Sequence, residues 1–114
     1  MKNKVGSAGE QLVADYLEQQ GFTLLERNYY KRFGEIDIIA KKDSVLAFIE
    51  VKARKHTQFP LCQVVTRSKQ LKMVMVAKEY ISKHNYTTFD CRFDVALVIG
   101  EPGNLEYISN AFVE

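Results

Sequence analysis

Asp37, Glu50 and Lys52 are the residues whose types and spacing could do chemistry together. Glu35 to Lys41 reads EIDIIAK and Val45 to Lys52 reads VLAFIEVK. Both are strand-like runs, and Lys42-Asp43-Ser44 between them supplies a turn, so a hairpin is predicted. With the turn centred between Asp43 and Ser44, Ala40 faces Ala47, Ile38 faces Ile49 and Asp37 faces Glu50. Directly opposed side chains in an antiparallel pair have Cβ atoms roughly 5 Å apart. Two carboxylates that close repel, and a divalent cation between them makes the pairing favourable. Oxygen ligands of this kind suit Mg²⁺ or Mn²⁺. Lys52 emerges on the same face as Glu50, about 7 Å further along. Phosphodiester hydrolysis needs such a set: a metal on the phosphate, a positioned water and positive charge for the transition state. The register carries the reading. Asp-Ser lacks the glycine that two-residue hairpins favour, and a one-residue slip takes Asp37 out of line.

The elements around the hairpin must hold it. A helix is predicted over about 7 to 20, where Ser7 and Glu10 have capping-box spacing and Gly21 is placed to end it. Leu12, Val13, Tyr16 and Leu17 form its apolar face. Phe22 to Tyr30 reads as the first strand. Val45 to Lys52 is apolar on both faces near the turn, which makes it a central strand. A basic loop with Arg54, Lys55, His56 and Pro60 leads to a long helix that begins near Thr66 or Ser68. Leu71, Val74, Ala77, Lys78 and Ile81 trace its expected buried stripe, with Lys69, Lys72 and Lys83 on the wetter side. Cys91 to Ile99 alternates as a strand, Glu101 to Asn104 is a turn, and Leu105 to Ile108 is a short last strand. The order is α-β-β-β-α-β-β, an α/β fold with a mixed central sheet flanked by helices.

At 114 residues the chain is expected to form a single domain, 1–114. Hydrophobic residues at 46% and charged residues at 26% exclude a disordered or low-complexity chain. No apolar run reaches membrane-spanning length, and the N-terminus has no apolar core of a secretory signal. Cys62 and Cys91 cannot build a disulfide framework or a zinc site, so a cytoplasmic location is expected. The sequon at Asn85 is then a chance match.

The net charge is only +2, yet the basic residues are unevenly placed. From Lys52 to His84 the sole acid is Glu79, set among Lys52, Arg54, Lys55, Arg67, Lys69, Lys72, Lys78 and Lys83. A second cluster, Arg27-Asn28-Tyr29-Tyr30-Lys31-Arg32-Phe33, interleaves base with aromatic. Such segments can neutralise phosphates and stack on bases. On charge alone a solvated helix face and an ordinary basic turn are the better account.

Gly34-Glu35-Ile36-Asp37, thirteen residues before Glu50-Val51-Lys52, resembles the D…ExK signature of the restriction-endonuclease-like superfamily. Together with Gly9-Glu10, Arg27-Asn28-Tyr29, Ala53-Arg54, Lys69 and Phe93-Asp94, it is similar to the YraN-like family. Those are small, poorly characterised bacterial proteins regarded as candidate endonucleases, and the match covers nearly the whole chain. Glu-Ile-Asp stands where the superfamily's name has Pro-Asp.

The resemblance implies a restriction-endonuclease-like core and a metal-dependent endonuclease acting on DNA. Archaeal Holliday-junction resolvases, which share the core, carry a further glutamate on the first helix, and Glu10 matches it. Asp37, Glu50 and Glu10 are then the implied acids of a Mg²⁺ or Mn²⁺ site, aided by the Val51 carbonyl. Lys52 is implied to orient or deprotonate the attacking water. Lys69 and Gln70 match helix positions that enter some sites of the superfamily, and Arg54 a backbone contact. Arg27, Arg32, Lys55 and Lys72 complete the candidate nucleic-acid contacts.

Simpler roles stand beside these. Glu10 is as well explained as the N3 partner of Ser7, and Glu35 can pair with Lys52 across the hairpin. Asp94 reads as a structural acid bonded to Arg92 or a loop. His56 and His84 read as surface residues, and Tyr29 and Tyr30 as rim packing. The chain leaves no room for a separate recognition domain, so DNA would be read through backbone and shape. Cutting both strands of a branched substrate would need a homodimer, with Val64, Val65 and Ala111-Phe112-Val113 as candidate interface residues. A nucleic-acid-binding module with this fold and little or no cleavage is the second reading.

Overall fold

Three strand-length apolar runs buried on both faces, and a short connection after each of the first two strands, build one continuous sheet. The computed structural model describes residues 4–54, 65–100 and 103–113, with only the backbone of 4–7. Its elements are α1 (Lys4–Gln19), β1 (Thr23–Lys31), β2 (Gly34–Lys42), β3 (Val45–Arg54), α2 (Arg67–Lys83), β4 (Asp90–Ile99) and β5 (Asn104–Phe112). The strands lie in the order β1-β2-β3-β4-β5, with β3 and β4 parallel and the other neighbours antiparallel. This is the α-β-β-β-α-β-β order expected from sequence. The parallel step is the one that needs a crossover, and α2 makes it. Lys55, His56, Pro60, Cys62 and Val64, and Glu101 and Pro102 of the expected turn, lie outside the described residues.

Among the described residues, each face of the sheet carries one helix and one apolar cluster. On the α1 face Val13, Ala14 and Leu17 pack on Ile38, Ala40, Ala47, Ile49, Ala96 and Val98. On the other face Met73, Val74, Val76, Ala77 and Tyr80 of α2 pack on Ile36, Ile39, Leu46, Phe48, Phe93, Val95 and Leu97. β3 contributes to both clusters, as a central strand must.

Local details differ from expectation: β5 runs on to Phe112 instead of ending at Ile108, β3 runs on to Arg54, and both helices depart in part. The first helix starts at Lys4, one turn before Ser7, so Ser7 and Glu10 are not a capping box. Its end is as expected: Gly21 has φ +94°, and Phe22 N–H donates to Leu17 O while Gly21 N–H donates to Glu18 O. That is the glycine-terminated helix end in which the last carbonyls are satisfied. The second helix is capped by Thr66, whose side chain accepts from Lys69 N–H. Its buried stripe is rotated: Leu71 and Lys78 are exposed, Ile81 is half-buried, and Met73, Val76 and Tyr80 face the sheet with Val74 and Ala77. Tyr80 decides the rotation, because its ring packs edge-on to Tyr29 and Phe48 and its hydroxyl donates to Glu26.

Candidate active site

The hairpin register is the one expected. Five pairs run from Lys42↔Val45 to Ile38↔Ile49, and Asp43 supplies the turn with φ 53° in the left-handed region that Asp tolerates. The ladder stops one residue short of Asp37 and Glu50. Continued, it would set Val51 N–H against the Ile36 carbonyl. Asp37 Oδ2 takes that hydrogen bond itself, at 2.8 Å.

The reason lies in a matched change of face in β1 and β2, through which the register runs on; the register shift between these two strands lies earlier, between Leu24 and Glu26. Arg27 pairs with Ile38 and Tyr29 with Ile36, but the pairs fall on opposite faces. Ile38 packs in the α1 cluster and Arg27 reaches α1, while Ile36 and Tyr29 belong to the α2 cluster. Residues two apart on a regular strand share a face, so both strands switch faces at Asn28 and Asp37. Asn28 has φ 53°, which sequence reasoning missed; its one signal is a poor strand former in mid-strand.

Glu50 is 2% exposed at the far end of β3. Lys52 Nζ stands 3.1 Å and Lys69 Nζ 3.2 Å from the same oxygen, Glu50 Oε2. The other oxygen, Oε1, is buried and finds no hydrogen-bond donor among the described residues. Burial first, then the negative charge of Asp37, push the Glu50 carboxyl above its usual range, while Lys69 and Lys52 pull it down. A buried carboxylate beside another acid, with two ammonium groups on one oxygen and none on the other, fits a divalent cation at the open oxygen.

Helix α2 is built against its own interest here. Its first turn carries Arg67 and Lys69 and no acid, at the end where the helix dipole favours negative charge. Lys69 is held there by the Thr66 cap below and Glu50 in front. Gly34 lets the helix come this close. A Cβ on it would stand 3.1 Å from Val76 Cγ2 and 3.2 Å from the Lys72 carbonyl oxygen.

Glu10 is also buried, at 2%, and its Oε1 lies 3.9 Å from the Arg27 guanidinium. Its turn of α1 rests on the end of β3, where Gly9 approaches Ala53. Among the described residues, no group of three or more His, Cys, Asp or Glu side chains is gathered to hold an ion. Asp37 is close enough for its charge to act on Glu50, while Glu10 is set against Arg27.

The remaining candidates are dispersed. Arg27 donates to Gln11, and Gln70 donates to the Val65 carbonyl and accepts from Arg67, so both are engaged in local structure. Arg32, Arg54 and Lys72 are exposed around the same end of the sheet, and Arg54 donates to its neighbour's carbonyl. Lys55 and His56 are outside the described residues; His84 is exposed, its ring tilted against that of Tyr80. Tyr29 is packing, bonded to Glu79, but Tyr30 is not: it is 71% exposed. Asp94, fully buried, is structural as expected; it binds Arg92, Tyr107 and the Asn110 N–H. Val65 is buried and Ala111 and Phe112 pack on the α2 cluster, which leaves Val113 exposed.

The model of "Uncharacterised protein family UPF0102" matches residues 9–98, which include all four of Glu10, Asp37, Glu50 and Lys52. A UPF0102 protein of Alkaliphilus metalliredigens is 41% identical over 114 residues, covering 98% of this chain and 100% of its own. UPF0102 protein NE0719 of Nitrosomonas europaea is 42% identical over 111 residues, 96% and 93% of the two chains. A Dictyoglomus turgidum relative is 40% identical over 118 residues, 98% and 100% of the two chains. No helix among the described residues is long and apolar enough to cross a membrane. The chain belongs to the uncharacterised family UPF0102, the YraN-like family that its motifs resemble.

Proposed function

We propose that the chain is a metal-dependent endonuclease that hydrolyses DNA phosphodiester bonds in the cytoplasm, with Asp37, Glu50 and Lys52 at its centre. The observation that carries this reading is the state of Glu50. It is buried beside Asp37, neutralised on Oε2 by Lys52 and Lys69, and open on Oε1. A buried carboxylate beside a second acid, with its carboxyl held above the usual range, marks a functional group more often than a structural one.

Asp37 and Glu50 would hold Mg²⁺ or Mn²⁺, which supplies Lewis-acid stabilisation of the phosphate when bound. Val51 N–H fixes the Asp37 carboxylate, so its second oxygen keeps one orientation. Lys52 orients the attacking water and, with Lys69, stabilises the added charge on the phosphate. Water oxygen bonds to phosphorus as the bond to one ester oxygen breaks, and the leaving oxygen takes up a proton. Glu10 acts at one remove, by holding Arg27.

DNA approaches the end of the sheet where the β1–β2 tip, β3 and the start of α2 meet. Arg32, Lys72 and Arg54 are exposed there, and Tyr30 and Phe33 are among the exposed large apolar side chains. Phosphate contacts of this kind read backbone and shape, which suits branched or partly single-stranded DNA in repair or recombination. A homodimer would place two such sites on one branched substrate.

Mn²⁺ and Mg²⁺ calorimetry of wild type beside Asp37→Ala, followed by cleavage assays on branched, single-stranded and duplex DNA, tests the reading. Ion binding lost in Asp37→Ala and metal-dependent cleavage lost in Lys52→Ala are expected. DNA binding without ion binding or cleavage would replace it with the non-cleaving binding module, a reading favoured by the two lysines already on Glu50 Oε2.

A further inference from the structure

We propose that Asn28 is a positioning residue for the Asp37 carboxylate, through its backbone rather than its side chain. The inference rests on the reading of Asp37 and Glu50 as an ion site.

Asn28 sits between Arg27 and Tyr29, the two β1 residues whose partners, Ile38 and Ile36, flank Asp37 on β2. Its φ of 53° lies in the left-handed region, where asparagine is several-fold enriched and a β-branched residue is a genuine outlier. A single left-handed residue in a strand turns the next side chain to the other face, and Tyr29 is turned in this way toward α2. Ile36 must follow its partner Tyr29, while Ile38 stays with Arg27 on the α1 face. Asp37 absorbs the twist between them. It leaves the ladder, and its carboxylate takes the Val51 N–H that the Ile36 carbonyl would otherwise bind.

The fold contains its own comparison. At the break between β4 and β5, Asn110 has φ 55° and its N–H donates to Asp94 at 2.8 Å. Each place joins a left-handed asparagine with a buried aspartate whose carboxylate accepts a backbone N–H, although the register shifts at Asp94 and runs unshifted through Asn28 and Asp37. Asp94 is saturated by Arg92 and Tyr107 and is structural. Asp37 stands beside Glu50, whose Oε1 is open. The same device thus serves rigidity in one place and ligand orientation in the other.

The test uses Asn28→Gly, which keeps access to φ 53°, and Asn28→Val, which does not. Asn28→Ala replaces the valine variant if that fails to fold. The two readouts are amide exchange at Val51 by NMR and Mn²⁺ affinity by calorimetry, with Asn110→Val as control. In Asn28→Val, Val51 exchange is expected to accelerate relative to Ile49, and Mn²⁺ affinity to fall by about tenfold or more. Asn28→Gly should keep both readouts close to wild type. Asn110→Val should lower the melting temperature and leave Mn²⁺ affinity unchanged.

A folded Asn28→Val with wild-type exchange at Val51 overturns the inference. An equal loss of affinity in Asn110→Val also overturns it, because general loosening would then be the cause. If wild type binds no Mn²⁺, the ion-site reading fails, while Val51 exchange still decides whether Asn28 positions Asp37.

Discussion

Lys69 Nζ lies 3.2 Å from Glu50 Oε2, so the first turn of α2 is tied to the end of β3 across the candidate site. The contact lowers the cost of ionising Glu50, which burial and Asp37 raise. Replacing Lys69 with Met should therefore move the Glu50 carboxyl still further above its usual range. Carboxyl-carbon NMR of Glu50 across pH measures this. An unchanged midpoint would mean that the ammonium does not sense Glu50 in solution.

The raised Glu50 carboxyl carries a stability consequence with a definite sign. The folded state binds the Glu50 proton more tightly than the unfolded chain, whose carboxyl titrates near its ordinary value of 4.5. Stability from this group is full below that value and is lost as pH rises through the folded midpoint. Glu50→Gln removes the loss, so it should melt above wild type at neutral pH, and the gap should close toward pH 4.5. The same variant should lose cleavage by roughly a hundredfold or more. Calorimetric melting from acid to neutral pH checks the sign; a variant less stable throughout would contradict it.

Gly34→Ala tests how α2 is seated. A Cβ there meets Val76 Cγ2 at 3.1 Å and Lys72 Cβ and O at 3.2 Å, and the carbonyl oxygen belongs to the helix backbone. The helix must move by a few tenths of an ångström, for which overpacking costs about 1–3 kcal/mol. A drop in melting temperature of roughly 4–8 °C per kcal/mol is expected. Because α2 carries Lys69, the Glu50 midpoint should rise as well.

The hairpin register is legible in sequence because the apolar runs of β2 and β3 overlay when the pairing is centred on the Lys42-Asp43-Ser44 turn. The three residues that matter most are legible for the same reason: they are polar intrusions at the ends of apolar strands. What escapes is the switch of face at Asn28, since alternation is read on the assumption that it continues. The stripe of α2 escapes because apolar residues at 71, 73 to 77, 80 and 81 allow more than one buried face. Tertiary contacts of Tyr80 choose among them. Gly34 is legible only as part of a motif; its closeness to Lys72 belongs to the packing. The Glu10 reading turns on where α1 begins, which capping signals misplace by one turn.

Asp94 is the structural counterpart of the two acids of the candidate site. It is fully buried, accepts from Arg92 Nε at 3.1 and 3.2 Å, and is bonded by Tyr107 and the Asn110 N–H. An asparagine there turns one of the two accepting oxygens into an NH₂ donor facing donors, at about 1–3 kcal/mol for each group left unsatisfied. Asp94→Asn should therefore melt far below wild type. Mn²⁺ affinity of the folded fraction should be unchanged, in contrast to Asp37→Asn, which should lose the ion with a smaller effect on melting. Similar losses of affinity in both variants would make the two places one cooperative unit.

DNA affinity should report which basic residues face the phosphates. Arg32 and Lys72 are exposed at the end of the sheet that carries Glu50, whereas Lys31 is paired with Glu79 at 3.5 Å and lies over the Tyr29 ring. Each phosphate contact removed lowers the slope of log affinity against log salt by about 1, or somewhat less on single strands. Arg32→Ala and Lys72→Ala should each lower the slope by that amount and weaken all DNA shapes alike. Tyr30→Ala should leave the slope unchanged and weaken single-stranded or branched DNA more than duplex, because stacking needs an unpaired base. Fluorescence anisotropy over a salt series checks all three. Equal weakening of duplex and single strands by Tyr30→Ala would show that the exposed ring does not read unpaired bases.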